Sequence, residues 1–188
     1  MGDPAKRRAT YEDLLAVPAH RIAQIVDGVL ITQPRPASAH AQASSALGGE
    51  LFGPFRRGKG GPGGWILLDD PELHLRDDVL VPDLAGWRRE RMPELPNTSA
   101  FELAPDWVCE VLSPSTAALD RAEKLPIYAR EGVRHAWLVD PGVRTLEVLR
   151  LEGRGPHWLL VGIWSGDGGV RAEPFDAIEL GLGALWAR

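Results

Sequence analysis

The chain has 188 residues, 44% of them hydrophobic and 25% charged, with a formal net charge of −5. These values fit one globular domain over residues 1–188, and they exclude a disordered chain or one that coats nucleic acid through a general positive field. No apolar run approaches the ~20 residues that cross a bilayer and MGDPAKRRATYEDLL lacks the apolar stretch of a signal peptide, so no membrane partner and a cytoplasmic location are expected.

Lysine is scarce: 18 arginines stand against Lys6, Lys59 and Lys124. Most positive charge therefore sits on a group that exchanges no protons, and each lysine is a candidate for a special role. Residues 1–9 are expected to be disordered. Thr10 followed by Asp13 resembles a helix N-cap with an acidic third residue, predicting a short helix from Tyr11 to Val17 that stops before Pro18. Arg21 to Val26 alternates loosely, Asp27-Gly28 is a hairpin signal, and Val29 to Gln33 supplies the returning strand. Ser38 to Phe52 repeats Ala, Leu and Ser at helical spacing, with Leu47 and Leu51 on one face, which predicts a helix. Gly58 to Gly64 is so rich in glycine that a mobile surface loop is expected.

Trp65 to Asp69, Glu72 to Arg76 and Leu80 to Trp87 read as extended segments that build an antiparallel sheet. Asp106 to Leu112 is apolar apart from Glu110, which predicts a central strand covered on both faces. Cys109 lies in that run and reads as a buried free thiol. After Ser113-Pro114-Ser115-Thr116, residues Ala117 to Glu131 read as a helix with Gly132 as its cap and a kink at Pro126. Ala136 to Asp140 and Arg144 to Leu149 flank a Pro141-Gly142 turn, His157 to Trp164 adds a strand, and Ile178 to Arg188 ends in a short strand and helical turn.

Hydrolysis of a phosphodiester with a divalent ion needs two or three hard oxygen ligands and a cation near the attacking water or the phosphate. Asp83 follows Pro82 at the start of an apolar strand, and Glu110 sits in the middle of the next long one. If those strands are neighbours, both carboxylates reach one ion. Asp106 is the rival first ligand, but four residues along a strand place it about 13 Å from Glu110. Asp69, Asp70 and Glu72 form a third acidic group that either completes the shell or decorates a turn. A D/E-X-K lysine would stand two residues after Glu110, where the chain has Leu112. Lys124 is the lysine that the following helix could bring back; read by itself, its spacing from Asp120 also suits a surface ion pair.

The run from Pro105 to Pro141 carries Glu110-Val-Leu-Ser-Pro-Ser-Thr, then Asp120, Lys124, Tyr128, Gly132-Val133 and Trp137-Leu-Val-Asp-Pro141. With Val81-Pro-Asp-Leu-Ala-Gly-Trp87 and Asp27-Gly28, it resembles the Uma-type family of bacterial restriction-endonuclease-like proteins in the PD-(D/E)XK superfamily. The resemblance runs from about Tyr11 to the C-terminus and implies a restriction-endonuclease-like α/β fold, a mixed sheet flanked by helices with an N-terminal hairpin. It also implies Mg²⁺ or Mn²⁺ held by Asp83 and Glu110, with Lys124 as a lysine displaced onto the next helix. Gln24, His40, Asp120 and Tyr128 are the accessory candidates. Such families show glutamate before the hairpin, whereas this chain has Gln24, one charge fewer for a metal.

Gly53-Pro-Phe-Arg-Arg-Gly-Lys59 matches the spacing of a phosphate-binding loop but lacks the Ser or Thr that follows and any strand before it, so no nucleotide cofactor is expected. The five histidines have no metal-ligand spacing, which argues against zinc, and His40 could either face the cleft or be structural. Ser113 and Ser115 lack a nucleophile turn and suit helix capping. Arg56, Arg57 and Lys59, and Arg88, Arg89 and Arg91, are the dense basic groups that could grip DNA or remain solvated. The chain thus reads as a metal-dependent endodeoxyribonuclease acting on DNA, a homodimer by analogy with the twofold symmetry of duplex. Two alternatives are an impaired nuclease fold that binds DNA or protein, and a carbohydrate hydrolase with paired acids.

Overall fold

Thr10 and Asp13 close the expected capping box at the start of α1 (Tyr11–Leu15): Thr10 N donates to the Asp13 carboxylate at 2.7 Å and Asp13 N to the Thr10 hydroxyl at 3.4 Å. The computed structural model describes residues 7–153 and 155–187. The expectation of disorder therefore lies outside the described residues for residues 1–6, while Ala9 N donates to Gly28 O. β1 (Arg21–Val26) and β2 (Val29–Pro34) form the hairpin, and Asp27 and Gly28 both take the left-handed backbone that a tight two-residue turn demands.

α2 (Ser38–Leu51) follows, extended by a π-helical turn, Phe52–Arg56. The strands β3 (Trp65–Asp69), β4 (Glu72–Leu75), β5 (Asp78–Leu80), β6 (Leu84–Arg88), β7 (Ala100–Phe101) and β8 (Trp107–Val111) come next. The helical segment is α3 (Ala117–Leu119), a π turn (Asp120–Lys124) and α4 (Leu125–Arg130). The chain ends with β9 (His135–Asp140), β10 (Thr145–Glu152), β11 (His157–Ser165), β12 (Gly169–Val170), β13 (Leu180–Gly181) and a 3₁₀ turn at Leu182–Leu185.

The three segments expected to build one antiparallel sheet are divided between two sheets. β3 and β6 belong to a six-stranded sheet in the order β11-β10-β9-β8-β6-β3, whereas β4 and β5 join β1 and β2 in a second sheet, β2-β1-β5-β4-β7. The expected strand from Leu80 to Trp87 breaks at Val81-Pro82-Asp83. Pro82 has no N–H for a ladder, and Val81 N donates to the Gln24 side chain at 2.9 Å. Both sheets are mixed, with parallel pairs β8·β9 and β4·β7. A parallel pair needs a long crossover, and residues 112–134 supply it.

The six-stranded sheet has an apolar layer on each face. Trp107, Cys109 and Val111 point with Leu84, Trp137 and Val148 toward α2 and the C-terminal segment. Val108 and Leu112 point with Ala85, Ala136 and Leu138 toward the second sheet and α4. This period-2 alternation puts Glu110 on the second face, beside Val108. The segment expected as one helix with a kink at Pro126 contains a π turn just before that proline. Leu125 N bonds back five residues to Asp120 O, and Pro126 falls in the first turn of α4, where its missing N–H costs nothing.

Candidate functional site

β6 and β8 are antiparallel neighbours whose last ladder pair at this end is Leu84↔Cys109. Asp83 and Glu110 are one step beyond it, at the end of the sheet. Asp83 continues the pairing with its side chain: Val111 N donates to Asp83 Oδ2 at 2.7 Å. Asp70 N donates to Asp83 O at 3.1 Å, which holds the β3–β4 turn against the same point.

Lys124 comes from the π turn and is only 2% exposed. Its Nζ lies 2.7 Å from Glu110 Oε1, 3.4 Å from Asp120 Oδ1 and 3.5 Å from Val81 O. The Asp120–Lys124 pair is thus a buried one, not a surface decoration. Tyr128, one helical turn further on, donates its hydroxyl to Glu110 Oε1 at 2.6 Å. Both contacts use Oε1 and leave Oε2 outside them. Leu112, where the usual lysine would stand, is packed into the apolar layer.

A cavity of about 310 Å³ opens over these groups. It is lined by Gln24, Arg35, His40, Asp70, Asp83, Glu110, Asp120 and Lys124, with Ser113 to Thr116 along one edge. His40 Nε2 is 3.3 Å from Asp83 Oδ1, and its Nδ1 is buried without a partner among the described residues. Gln24, the departure from the family pattern, lines the cavity while its carbonyl oxygen anchors Val81.

Burial pushes the Glu110 carboxyl up to about 8; Lys124 opposes that rise, and the charges of Asp120 and Asp83 add to it. Burial also opposes the charge on Lys124, but Glu110, Asp120 and Asp83 outweigh it and raise the ammonium pKa. Asp120 and Asp70 are raised, by burial first. For His40 burial works against protonation, yet Asp83, with Asp120 and Asp70 behind it, raises the ring pKa. Four carboxylates share one cleft with few cations, which is an arrangement that a positive ion relieves. The donors are hard oxygens, and the two carboxylates Asp83 and Glu110 suit magnesium or manganese, which keep water and substrate oxygens as their other ligands. Among the described residues no group of three His, Cys, Asp or Glu side chains forms a ready-made cage.

Of the residues singled out from the sequence, Asp83, Glu110, Lys124, Gln24, His40, Asp120 and Tyr128 meet here. Asp106 does not; it is buried elsewhere, accepting from Arg88 N at 2.9 Å and pairing with Arg91 at 3.0 Å. Arg88 ends β6 and Arg89 and Arg91 follow it, at the far end of that strand, since Leu84 faces Asp69 and Arg88 faces Trp65 across the ladder with β3. The Arg56, Arg57 and Lys59 group leads into the same far end of β3, with Arg56 Nη1 on Leu67 O at 3.3 Å. Neither group lines the cavity. Arg35, which does, carried no sequence signal beyond its place between two prolines just ahead of the helix that bears His40. Asp70 was legible only as part of an acidic turn.

The family model described as "Uma2: Putative restriction endonuclease" matches residues 8–184. Among solved structures, the chain is similar to a "putative nuclease belonging to DUF820" from Anabaena variabilis ATCC 29413, with a TM-score of 0.73 and 21% identity over 95% of this chain and 97% of that one. That likeness shows a shared mixed α/β fold with helices against the sheets. No curated protein matches.

Proposed function

The chain belongs to the Uma2 family, described as "Putative restriction endonuclease", and from that premise we propose that it hydrolyses phosphodiester bonds of DNA with a divalent cation held by Asp83 and Glu110. The observation that carries this reading is the buried Lys124 ammonium, 2.7 Å from Glu110 and in the same cleft as Asp83. A buried lysine between two acids serves stability poorly, because desolvating the charges offsets most of their attraction. It serves chemistry well, since a fixed cation in a low-dielectric cleft stabilises charge that develops on an attacked phosphate.

A bound magnesium or manganese ion would supply Lewis-acid polarisation of the phosphate. The protein's own groups then have distinct tasks. Tyr128 and Lys124 fix Glu110 through Oε1, and Val111 N and His40 fix the two oxygens of Asp83. Lys124 either faces the phosphate oxygens or orients the water whose oxygen bonds to phosphorus as the bridging P–O bond breaks. Two copies acting on the two strands of a duplex, as the symmetry argument expects, belong to the same reading.

The test is cleavage of supercoiled DNA with Mn²⁺ or Mg²⁺ by the wild type and by Asp83→Asn. Cleavage by the wild type and its loss in the variant, by about 100-fold or more for a group fixed at the reacting centre, is the expected result; equal activity in both sinks the reading. Gln24 favours a second reading, in which the fold binds DNA with reduced chemistry, because an amide stands in the cleft where the family pattern has an acid. Gln24→Glu keeps the acceptor for Val81 N and adds a negative donor. Tighter Mn²⁺ binding in that variant, measured by titration, is expected; unchanged affinity would show that position 24 does no more than brace Val81.

A further inference from the structure

The cavity is acidic, and its substrate under the proposed reading is a polyanion. Three side chains that can carry positive charge line it: His40, Lys124 and Arg35. His40 is taken up by Asp83, and Lys124 by Glu110 and Asp120. Arg35 forms no ion pair among the described residues, and it is exposed at the cavity edge. It uses one N–H, from Nη2 to Ala19 O at 3.2 Å. A guanidinium has five N–H donors in a rigid fork, so most of its donors stay available to an incoming ligand.

Its setting is stiff. Pro34 and Pro36 flank it, the first with its own φ fixed, the second restricting Arg35 to extended backbone. The bond to Ala19 O then ties the side-chain end to the segment that enters β1. The backbone that carries the guanidinium has little freedom left to lose on binding, which favours recognition over an arginine on a flexible loop tip. The other dense basic groups lie toward the far end of β3 and β6 and are not on the cavity wall.

We propose that Arg35 is the phosphate-binding residue at the mouth of the cleft, contacting the backbone of the strand next to the bond that is cut. The inference rests on the nuclease reading and assigns substrate binding to one residue outside the basic clusters. The class of ligand is a polynucleotide backbone, recognised by its phosphates and not by its bases.

The experiment measures binding of a short labelled DNA duplex as a function of salt, with Ca²⁺ in place of Mg²⁺ so that the duplex stays intact. Arg35→Gln is expected to bind about tenfold more weakly and to make the negative slope of log K against log salt shallower by about 0.9, the value of one phosphate contact on duplex DNA. Arg35→Lys keeps the charge and restores the slope, whereas Arg57→Gln, on the far side, leaves it at the wild-type value. A slope unchanged in Arg35→Gln, or made equally shallow by Arg57→Gln, overturns the assignment. Absence of DNA binding by the wild type itself overturns the nuclease reading, and Arg35 falls with it.

Discussion

Lys124→Met is expected to lower metal-dependent cleavage by about 100- to 1,000-fold, the range for removing one preorganised charge-stabilising group, while the variant still binds DNA. Methionine matches the length and apolar body of the lysine, so the pocket between α4 and β8 stays filled. What disappears is the ammonium between Glu110 and Asp120. Breaking a buried pair from one side costs about 3–5 kcal/mol when the remaining charge cannot neutralise. Glu110 can, because burial already favours its protonated form. The variant therefore loses less at acid pH than at alkaline pH. Thermal melting of both proteins across pH checks this: the gap in melting temperature should widen as pH rises, and full cleavage by the variant would remove Lys124 from the chemistry.

The second large effect is on pH. A carboxyl raised from 4.5 to about 8 in the folded state favours the proton there. The sign follows: Glu110 contributes most to stability below about 4.5, and that contribution declines as pH rises from about 4.5 to about 8, because the folded state then binds the proton that the unfolded state has released. The groups facing it are Lys124, Asp120, Asp83 and Tyr128: the charge of Lys124 and the hydrogen bond from Tyr128 favour the ionised form, whereas the charges of Asp120 and Asp83 favour the proton. A divalent cation needs the ionised carboxylate, so it must displace this proton. Apparent Mn²⁺ affinity is expected to rise about tenfold per unit up to about pH 8 and then level off. Calorimetric titration in two buffers of different ionisation enthalpy would register close to one proton released per ion near neutral pH. Affinity that is flat through this range would remove Glu110 from the metal site.

Much of the local structure was legible in the residues. The Thr10–Asp13 cap, the Asp27-Gly28 turn and the long apolar β8 each depend on neighbours a few positions away, so propensity and periodicity are enough. The likeness of the Val81-to-Pro141 motifs to the family also led to Asp83, Glu110 and Lys124, which line one cleft, and to Tyr128, which is buried and donates to Glu110. The misreadings share one cause. Leu80 to Trp87 looked like a single strand because its hydrophobicity is continuous, but Val81 N pairs with Gln24, a residue 57 positions away, and Pro82 ends the ladder. Ala117 to Glu131 read as one α-helix because local rules know only the α-helix, whereas the π turn moves the hydrogen bonds and seats Pro126 at the start of α4.

By itself the sequence determined the cap of α1, the first hairpin and the β8 strand, the alternation that sends Glu110 to the opposite face from Cys109, and the list of acids and the lysine from which a site could be made. Tertiary structure alone decided which strands share a sheet, that the basic groups after β6 and before β3 sit away from the cleft, and that Arg35 stands on its edge. The physical reason is that side-chain direction follows from a repeat of two residues along a strand, whereas strand partners and cleft walls depend on the burial of surfaces that are distant in the chain.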